Sequence, residues 1–79
     1  MTLEKLRPGQ AGTVLALRLE GPLRRRLRDP GLVEGARLRR LGRSPLGDPS
    51  AYLICGAAIA LRRTDCRRIE VEVEPWNAS

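Results

Sequence analysis

The sequence predicts a mainly β domain of about five short strands with one or two short helices. The chain has 79 residues, enough for one small domain. Eight glycines and six prolines interrupt it too often for long helices. Its apolar fraction of 42% is too high for a disordered chain. We therefore expect a folded unit of short strands and tight turns.

Residues 13–19 form the first predicted strand because they are rich in residues that favour β structure. The leucines of this segment alternate along the chain, while Val14 and Ala16 lie on the opposite face. The alternation does not settle which side faces the core, and a β-bulge would let both sides contribute.

A short helix is predicted after Gly21, beginning at Pro22, whose missing N–H would be unpaired in a first helical turn. Leu23 and Leu27 are four residues apart, so they project from one side of the helix and can pack inward together. We expect the helix to end within about two turns, because Pro30 should force the residue before it out of the helical region.

The second predicted strand covers residues 36–41, where Leu38 alternates with Arg37 and Arg39. Such alternation is typical of a strand with one face on the core and the other in water. Turn-forming residues at 44–49 then lead into the next strand.

Residues 51–55 and 57–61 form a predicted hairpin that turns around Gly56. Thr64 is placed to cap one helical turn. Residues 69–74 then alternate β-branched residues with glutamates, which is the clearest strand pattern in the chain. Short strands and helical turns in this order favour a small SH3-like β-barrel, with an OB-like barrel as the alternative.

The residue inventory argues against catalysis and against a bound metal. The chain has no histidine, the commonest general base and metal ligand. Glu70, Glu72 and Glu74 lie in a straight row at roughly 6.6 Å intervals, which does not enclose an ion. We therefore predict that the protein is not an enzyme, holds no cofactor and binds ferrous iron no more tightly than the millimolar range.

The sequence also predicts a cytoplasmic location. The N-terminal residues lack the apolar run of a signal peptide. The longest uncharged stretch, residues 49–61, is shorter than the ~20 residues needed to span a bilayer. Cys55 and Cys66 are 11 positions apart, without the spacing of a metal or redox motif, so we expect free thiols in a reducing compartment.

The positive charge is concentrated in residues 18–43, where nine arginines and three acids give the whole net charge of +6. This segment is suited to an acidic protein face, anionic lipid or nucleic acid, although a solvated surface is the alternative. Nucleic acid is disfavoured because the only two aromatic residues, Tyr52 and Trp76, lie outside the segment. The candidate binding arginines are Arg24, Arg25, Arg28, Arg37 and Arg39.

Six segments in register resemble the FeoA family, the small cytoplasmic component of bacterial ferrous iron uptake, and the related C-terminal domain of iron-dependent repressors. The segments are TLEKLRPGQAG (2–12), LRRRL (23–27), GLVEG (31–35), PLGDP (45–49), IALR (59–62) and IEV (69–71). The resemblance covers residues 2–73 and implies an SH3-like barrel that regulates FeoB, a membrane transporter with a cytoplasmic GTPase region. It places one FeoA-like domain at residues 1–74 and a C-terminal tail at 75–79.

Two features of this chain depart from the family pattern. Pro30 stands where members usually have a large apolar residue. The outer side of the strand after the PLGDP loop is usually polar, whereas here the outer side is apolar. Because both faces of the hairpin are apolar, we expect a partner to cover the outer one, although small residues are also tolerated on surfaces. The outward residues that would form this patch are Leu53, Cys55, Ala58 and Ala60.

We therefore predict an accessory or regulatory protein of ferrous iron uptake that docks on the cytoplasmic region of FeoB through this patch and the arginines. A second copy of the chain and the tail at Trp76 are the other candidate covers. No nucleic acid is expected, and membrane contact is expected only through the transporter. The alternative function is a nucleic-acid or repressor-associated SH3-like module, which would need a separate DNA-reading partner.

Overall fold

The computed structural model describes residues 1–42 and 47–75. The elements in chain order are a 3-10 helix Leu3–Lys5, β1 Ala11–Leu17, α1 Gly21–Arg28, β2 Arg37–Arg40, β3 Ser50–Ile54, β4 Ala57–Leu61, α2 Arg63–Cys66 and β5 Ile69–Val73. The predicted mainly β class, with five short strands and two short helices, is confirmed. No helix in the described part of the chain has the length and apolarity to cross a bilayer.

The five strands form one antiparallel sheet in the order β4-β3-β2-β1-β5. The sheet is open rather than closed into a barrel, so β4 and β5 are its two edges. One face of the curved sheet carries the core, and we call it the inner face. The opposite, outer face carries the alternate residues of the same strands.

A bulge in β1 resolves the ambiguity of its sequence pattern. The register between β1 and β5 shifts between Val14 and Ala16, and Leu15 is 50% exposed at that point. Val14 and Leu17 are both buried, although strict alternation would place them on opposite faces. The mixed contribution that the sequence allowed is therefore present.

α1 spans eight residues, which is about two turns as predicted. Asp29 nevertheless keeps helical backbone angles, φ −59° and ψ −46°, although Pro30 follows it. The expectation that Pro30 would force Asp29 out of the helical region is therefore wrong. A following proline disfavours that conformation without forbidding it, and hydrogen bonds just beyond Pro30 stabilise the exit.

The exit of α1 is a Schellman motif closed by a glycine. The Gly31 N–H donates to the Arg28 carbonyl at 2.9 Å, and the Leu32 N–H donates to the Leu27 carbonyl at 3.0 Å. Gly31 has φ +111°, a value that other residues rarely adopt. Leu27 and Leu32 are both buried, which supplies the hydrophobic contact typical of this motif.

α2 is capped by a residue that is distant in sequence. The N–H of Arg63 donates to Asp48 Oδ1 at 2.9 Å, so Asp48 satisfies one of the free donors at the helix start. Thr64 lies inside the helix rather than at its cap position, so that prediction is wrong. A cap that comes from a preceding loop leaves no local pattern in the sequence.

Arg40 at the end of β2 fastens the N-terminal segment to the sheet. Its guanidinium donates to Ser50 Oγ at 2.9 Å and to the Leu6 carbonyl. Leu6 is 1% exposed and belongs to the core. At least one arginine of the basic segment therefore stabilises the fold instead of forming a solvated surface.

Candidate functional site: the outer face of the hairpin

The hairpin of β3 and β4 presents apolar side chains on both faces of the sheet. Tyr52 and Ile54 are 1% and 0% exposed, whereas Leu53 between them is 38% exposed. On β4, Ala58 and Ala60 are exposed. The outward placement of these three residues agrees with the sequence pattern, and their role in binding stays a prediction.

Cross-strand pairing assembles these residues into one surface. Leu53 pairs with Ala58 on one side and with Arg39 on the other, so the three side chains lie in a row across three strands. Ala51 pairs with Ala60 in the neighbouring row. We call this surface the hairpin patch and define it as Leu53, Ala58 and Ala60 together with Cys55 at the turn. Its only large side chain is that of Leu53.

Cys55 lies in the turn of the hairpin rather than at the end of a strand. β3 ends at Ile54, and Cys55 and Gly56 have φ values of +50° and +81°. Two successive positive φ values define the type I′ loop that connects antiparallel strands most tightly. The sequence prediction, which extended the strand to Cys55, is wrong because it did not account for this two-residue loop.

The Cys55 side chain packs against the exit of α1. A Cβ atom placed on Gly31 would lie 2.7 Å from Cys55 Sγ, which is too close for any ordinary contact. Gly31 is thus required twice, for its positive φ and for this close approach. Cys55 remains exposed and is a free thiol.

Two of the predicted arginines border the hairpin patch on β2. Arg37 and Arg39 are exposed while Leu38 between them is 1% exposed, as the alternation predicted. Arg37 donates to both carboxylate oxygens of Glu74, with 2.9 Å between Nη2 and Oε2. This ion pair raises the pKa of Arg37 and lowers the pKa of Glu74, mainly through the hydrogen bonds. Arg39 donates to the Gly9 carbonyl and lies beside Leu53 on the neighbouring strand.

The other predicted arginines lie on a different surface. α1 turns Leu27 toward the inner face, where it joins the core, and it carries Arg24, Arg25 and Arg28 away from the hairpin patch. Arg24 forms an ion pair with Glu34 at 3.7 Å. The structure thus divides the predicted binding residues into a patch on the outer face and a basic helix on the other side of the sheet.

Two of the three glutamates at positions 70, 72 and 74 pair with groups of the same chain. Glu70 accepts a hydrogen bond from the N-terminal ammonium at 3.0 Å, and Glu74 is paired with Arg37. Within residues 1–42 and 47–75, no three His, Cys, Asp or Glu side chains come together as metal ligands. The weak affinity for ferrous iron stays a prediction.

The second cysteine belongs to the core beneath the hairpin. Cys66 is 1% exposed, and its Sγ donates to the Tyr52 hydroxyl at 3.5 Å. Burial raises the pKa of the Cys66 thiol, so it stays protonated and unreactive at neutral pH. The same burial raises the pKa of Tyr52. These groups therefore have a packing role.

Family and sequence comparisons match nearly the whole chain to known proteins. The FeoA domain family profile matches residues 1–73. The chain is 33% identical over 79 residues to the Fe(2+) transport protein A/Fe(2+) transporter FeoB fusion protein of Porphyromonas gingivalis. The match covers 100% of this chain but 9% of the fusion protein, so the chain spans a small part of that relative's length.

Solved structures share the fold. FeoA of Chlorobium tepidum has a TM-score of 0.86 and 34% identity, with 99% of this chain and 82% of that chain covered. FeoA of Stenotrophomonas maltophilia in complex with zinc, described as a prokaryotic SH3 domain protein, has a TM-score of 0.75 and 28% identity over 91% and 89% of the two chains. A manganese-dependent transcriptional repressor has a TM-score of 0.79 and 26% identity over 94% of this chain and 36% of its own. The chain belongs to the FeoA family, which is associated with ferrous iron transport.

Proposed function

We propose that this protein is a cytoplasmic, non-enzymatic accessory protein of ferrous iron uptake that docks on the cytoplasmic region of a FeoB-type transporter and regulates it. The observation that supports this most directly is the relative in which a FeoA sequence and a FeoB transporter form one polypeptide. Fusion holds two domains at a high effective concentration, which favours partners that act in contact. The chain needs no catalytic group for this role.

The hairpin patch is the surface we assign to the transporter. The Leu53 side chain would insert into the partner, and the small alanines around it would let the partner surface approach closely. Arg39 beside Leu53 adds a charge at the rim of the patch. An apolar centre with a polar rim is the usual organisation of a protein interface. The FeoB surface is accordingly expected to present an apolar pocket bordered by acidic side chains.

The basic surface of α1 acts at longer range in this proposal. Arg25 and Arg28 are exposed, whereas Arg24 is paired with Glu34. Uncompensated positive charge accelerates the encounter with an acidic partner and makes the association rate sensitive to salt. We assign these arginines to steering, and the hairpin patch to the stability of the complex.

The test is a binding titration with the cytoplasmic region of the FeoB transporter from the same genome. Three samples are compared: nucleotide-free, GDP-bound and bound to a non-hydrolysable GTP analogue. We expect saturable binding in the micromolar range and a nucleotide dependence of about threefold or more, since a regulator must distinguish the states of its target. No binding in any of the three states would contradict the proposal.

A repressor-associated or nucleic-acid role is the second candidate. The likeness to the manganese-dependent repressor and the excess of arginine favour it. Fluorescence anisotropy with short duplex DNA separates the two, because non-specific attraction to phosphates falls steeply with salt. We expect only weak, salt-sensitive binding, and DNA binding that persists at physiological salt would favour this candidate. Sedimentation analysis of the isolated chain tests self-association as a third use of the patch.

A further inference from the structure

The two edges of the sheet differ in what covers them. The outer edge of β5 pairs with the N-terminal residues: Thr2 bridges to Glu70, and the Val71 N–H donates to the Met1 carbonyl at 2.8 Å. β4 is the opposite edge. Within residues 1–42 and 47–75, the backbone of β4 has no hydrogen-bonded strand other than β3. A bare edge of this kind is a template for another strand.

The hairpin geometry identifies the free backbone groups. A two-residue loop closes on a hydrogen-bonded pair, here Ile54 and Ala57, and such pairs then alternate along the ladder. Ile59 therefore points its N–H and carbonyl toward β3. Ala58 and Ala60 point theirs away from β3, toward the open side of the sheet. The edge thus offers two donors and two acceptors in a regular array.

A groove runs beside this edge between β4 and α1. It encloses about 340 Å³, and its apolar lining includes Leu23, Leu27 and Ile59. Arg26, Arg62 and Asp65 also line the groove, so two positive groups and one negative group leave it a net charge of +1. Among the described residues, neither arginine forms a salt bridge with a carboxylate. Alternate residues of an added strand turn toward this groove, and acidic side chains at those positions complement the two arginines, which outnumber Asp65.

We propose that the free edge of β4 binds an extended acidic segment of a partner protein, which adds to the sheet as a further antiparallel or parallel strand. Its backbone pairs with Ala58 and Ala60, while its carboxylates face Arg26 and Arg62. Main-chain hydrogen bonds supply affinity in such strand addition, and alternate side chains supply specificity. The site is distinct from the hairpin patch, because it uses the backbone edge and the inner groove rather than side chains on the outer face.

The probe is a synthetic peptide, acetyl-Thr-Val-Glu-Val-Glu-Val-Thr-amide, with a control peptide in which both glutamates are lysines. Amide hydrogen exchange of the full chain is followed by NMR. At saturating acidic peptide we expect the Ala58 and Ala60 amides to exchange about tenfold more slowly, since both become hydrogen-bonded. The Ile59 amide, already paired with β3, should change little. The lysine peptide should bind about tenfold more weakly.

Two kinds of variant test the assignment. Ala60→Pro removes an edge donor that β3 does not use, so the strand should persist and peptide binding should fall by about tenfold or more. Arg26→Glu and Arg62→Glu should reverse the preference between the two peptides, and they keep the test decisive if the proline variant fails to fold. Arg18→Glu, at an exposed arginine outside the groove, is the matched control, and it should bind the acidic peptide as the wild type does.

The proposal is overturned if the acidic peptide leaves the exchange of Ala58 and Ala60 unchanged. It is also overturned if folded Ala60→Pro binds that peptide with wild-type affinity, or if the charge-reversed variants keep the wild-type preference. None of these readouts includes FeoB. A failure of transporter docking would therefore leave this result standing, and the reverse is also true.

Discussion

The β3–β4 hairpin and β5 both alternate inward and outward side chains, but the outward side chains are apolar in the hairpin and acidic in β5. β5 buries Ile69 and Val71 and exposes carboxylates, of which that of Glu70 pairs with the N-terminal ammonium. The hairpin buries Ile54 with equal completeness and exposes Leu53 beside small alanines. The outward carboxylate of Glu70 therefore has a charged partner within the chain, whereas the outward side chain of Leu53 has only small or charged neighbours on the sheet.

This difference separates residues that fold the domain from residues free to serve a partner. Inward positions in both regions must be apolar because they fill the same core. Leu53 keeps 38% of its surface exposed, so it fills the core less than the inward residues do and should tolerate substitution better.

Truncation inside the core should be costly in both regions alike. Ile54→Ala and Ile69→Ala each remove a side chain that is 0% exposed, and each should lower the free energy of unfolding by about 3 kcal/mol. A 79-residue domain has a total of roughly 4–12 kcal/mol, so both variants should be close to unfolding. Urea denaturation provides the measurement. Leu53→Ala and Glu72→Ala are the outward controls, expected to stay within about 0.5 kcal/mol of wild type. A large loss in Leu53→Ala would show that Leu53 is part of the core.

Two glycines lie in close contact with these regions, Gly31 with the turn of the hairpin and Gly12 with β5, and replacing either should lower stability. Gly31→Ala places a Cβ 2.7 Å from Cys55 Sγ, and Gly12→Ala places one 2.9 Å from the Glu72 carbonyl oxygen. Each should lower the free energy of unfolding by about 2 kcal/mol. In a double-mutant cycle, Cys55→Gly should recover about 0.5–1 kcal/mol of the Gly31→Ala loss because it removes the obstructing sulfur. The same replacement should leave the Gly12→Ala loss unchanged. Equal recovery in both would contradict the contact between Cys55 and Gly31.

Alkaline pH should destabilise the core beneath the hairpin. Because burial raises the folded-state pKa of Cys66 and Tyr52, the folded state keeps protons that the unfolded state releases above about pH 8.5 for Cys and about pH 10 for Tyr. The unfolded state then binds fewer protons, so stability is full at neutral pH and falls as the pH rises through this range. Urea midpoints at increasing pH should show the fall, with a smaller slope in Cys66→Ala. Tyr52 is the only tyrosine, so tyrosinate absorbance should appear together with the loss of native circular dichroism. Ionisation near pH 10 in a chain that remains folded would contradict this account.

The exposed ion pair beside the patch should contribute least. The depressed pKa of Glu74 means that any stabilisation is present above the ordinary glutamate pKa and is lost as the pH falls through the lowered value. Because both side chains are well exposed, solvent and salt screen the pair. In Arg37→Gln we expect the carboxyl titration of Glu74, followed by NMR, to move to higher pH, while the urea midpoint at neutral pH stays unchanged. A clear drop in that midpoint would indicate that the pair has a structural role.

Local periodicity was sufficient to predict which residues face inward in β2, the hairpin and β5, but not in β1. The inward positions of β2, the hairpin and β5 follow from alternation alone, because side chains on a strand switch face at every residue. The place of Cys55 in the turn could not be predicted in this way. The two-residue loop requires a positive φ at Cys55, and cysteine is not a residue type that favours positive φ. The sequence also could not determine whether β1 contains a bulge at Leu15, because a shift in register leaves the composition of a strand unchanged.

Contacts between distant segments were beyond what the sequence could predict. Arg40 reads as one more surface arginine, yet it joins β2 to the N-terminal segment. Asp48 reads as a turn residue, yet it caps α2. The division of the arginines between two surfaces depends on how α1 packs against the sheet. The order of charged residues along the chain does not determine that packing. The suggestion that the tail at Trp76 covers the hairpin patch falls outside the residues that the structure describes.

The most direct test of the docking surface compares two exposed leucines. Leu53 lies in the hairpin patch, and Leu15 lies on β1, two strands away from β3 in the sheet. Calorimetric titration into the cytoplasmic region of the same-genome FeoB should give an affinity about tenfold or more weaker for Leu53→Glu, with Leu15→Glu within about twofold of wild type. Equal affinity of folded Leu53→Glu and wild type would contradict the claim that the hairpin patch is the docking surface.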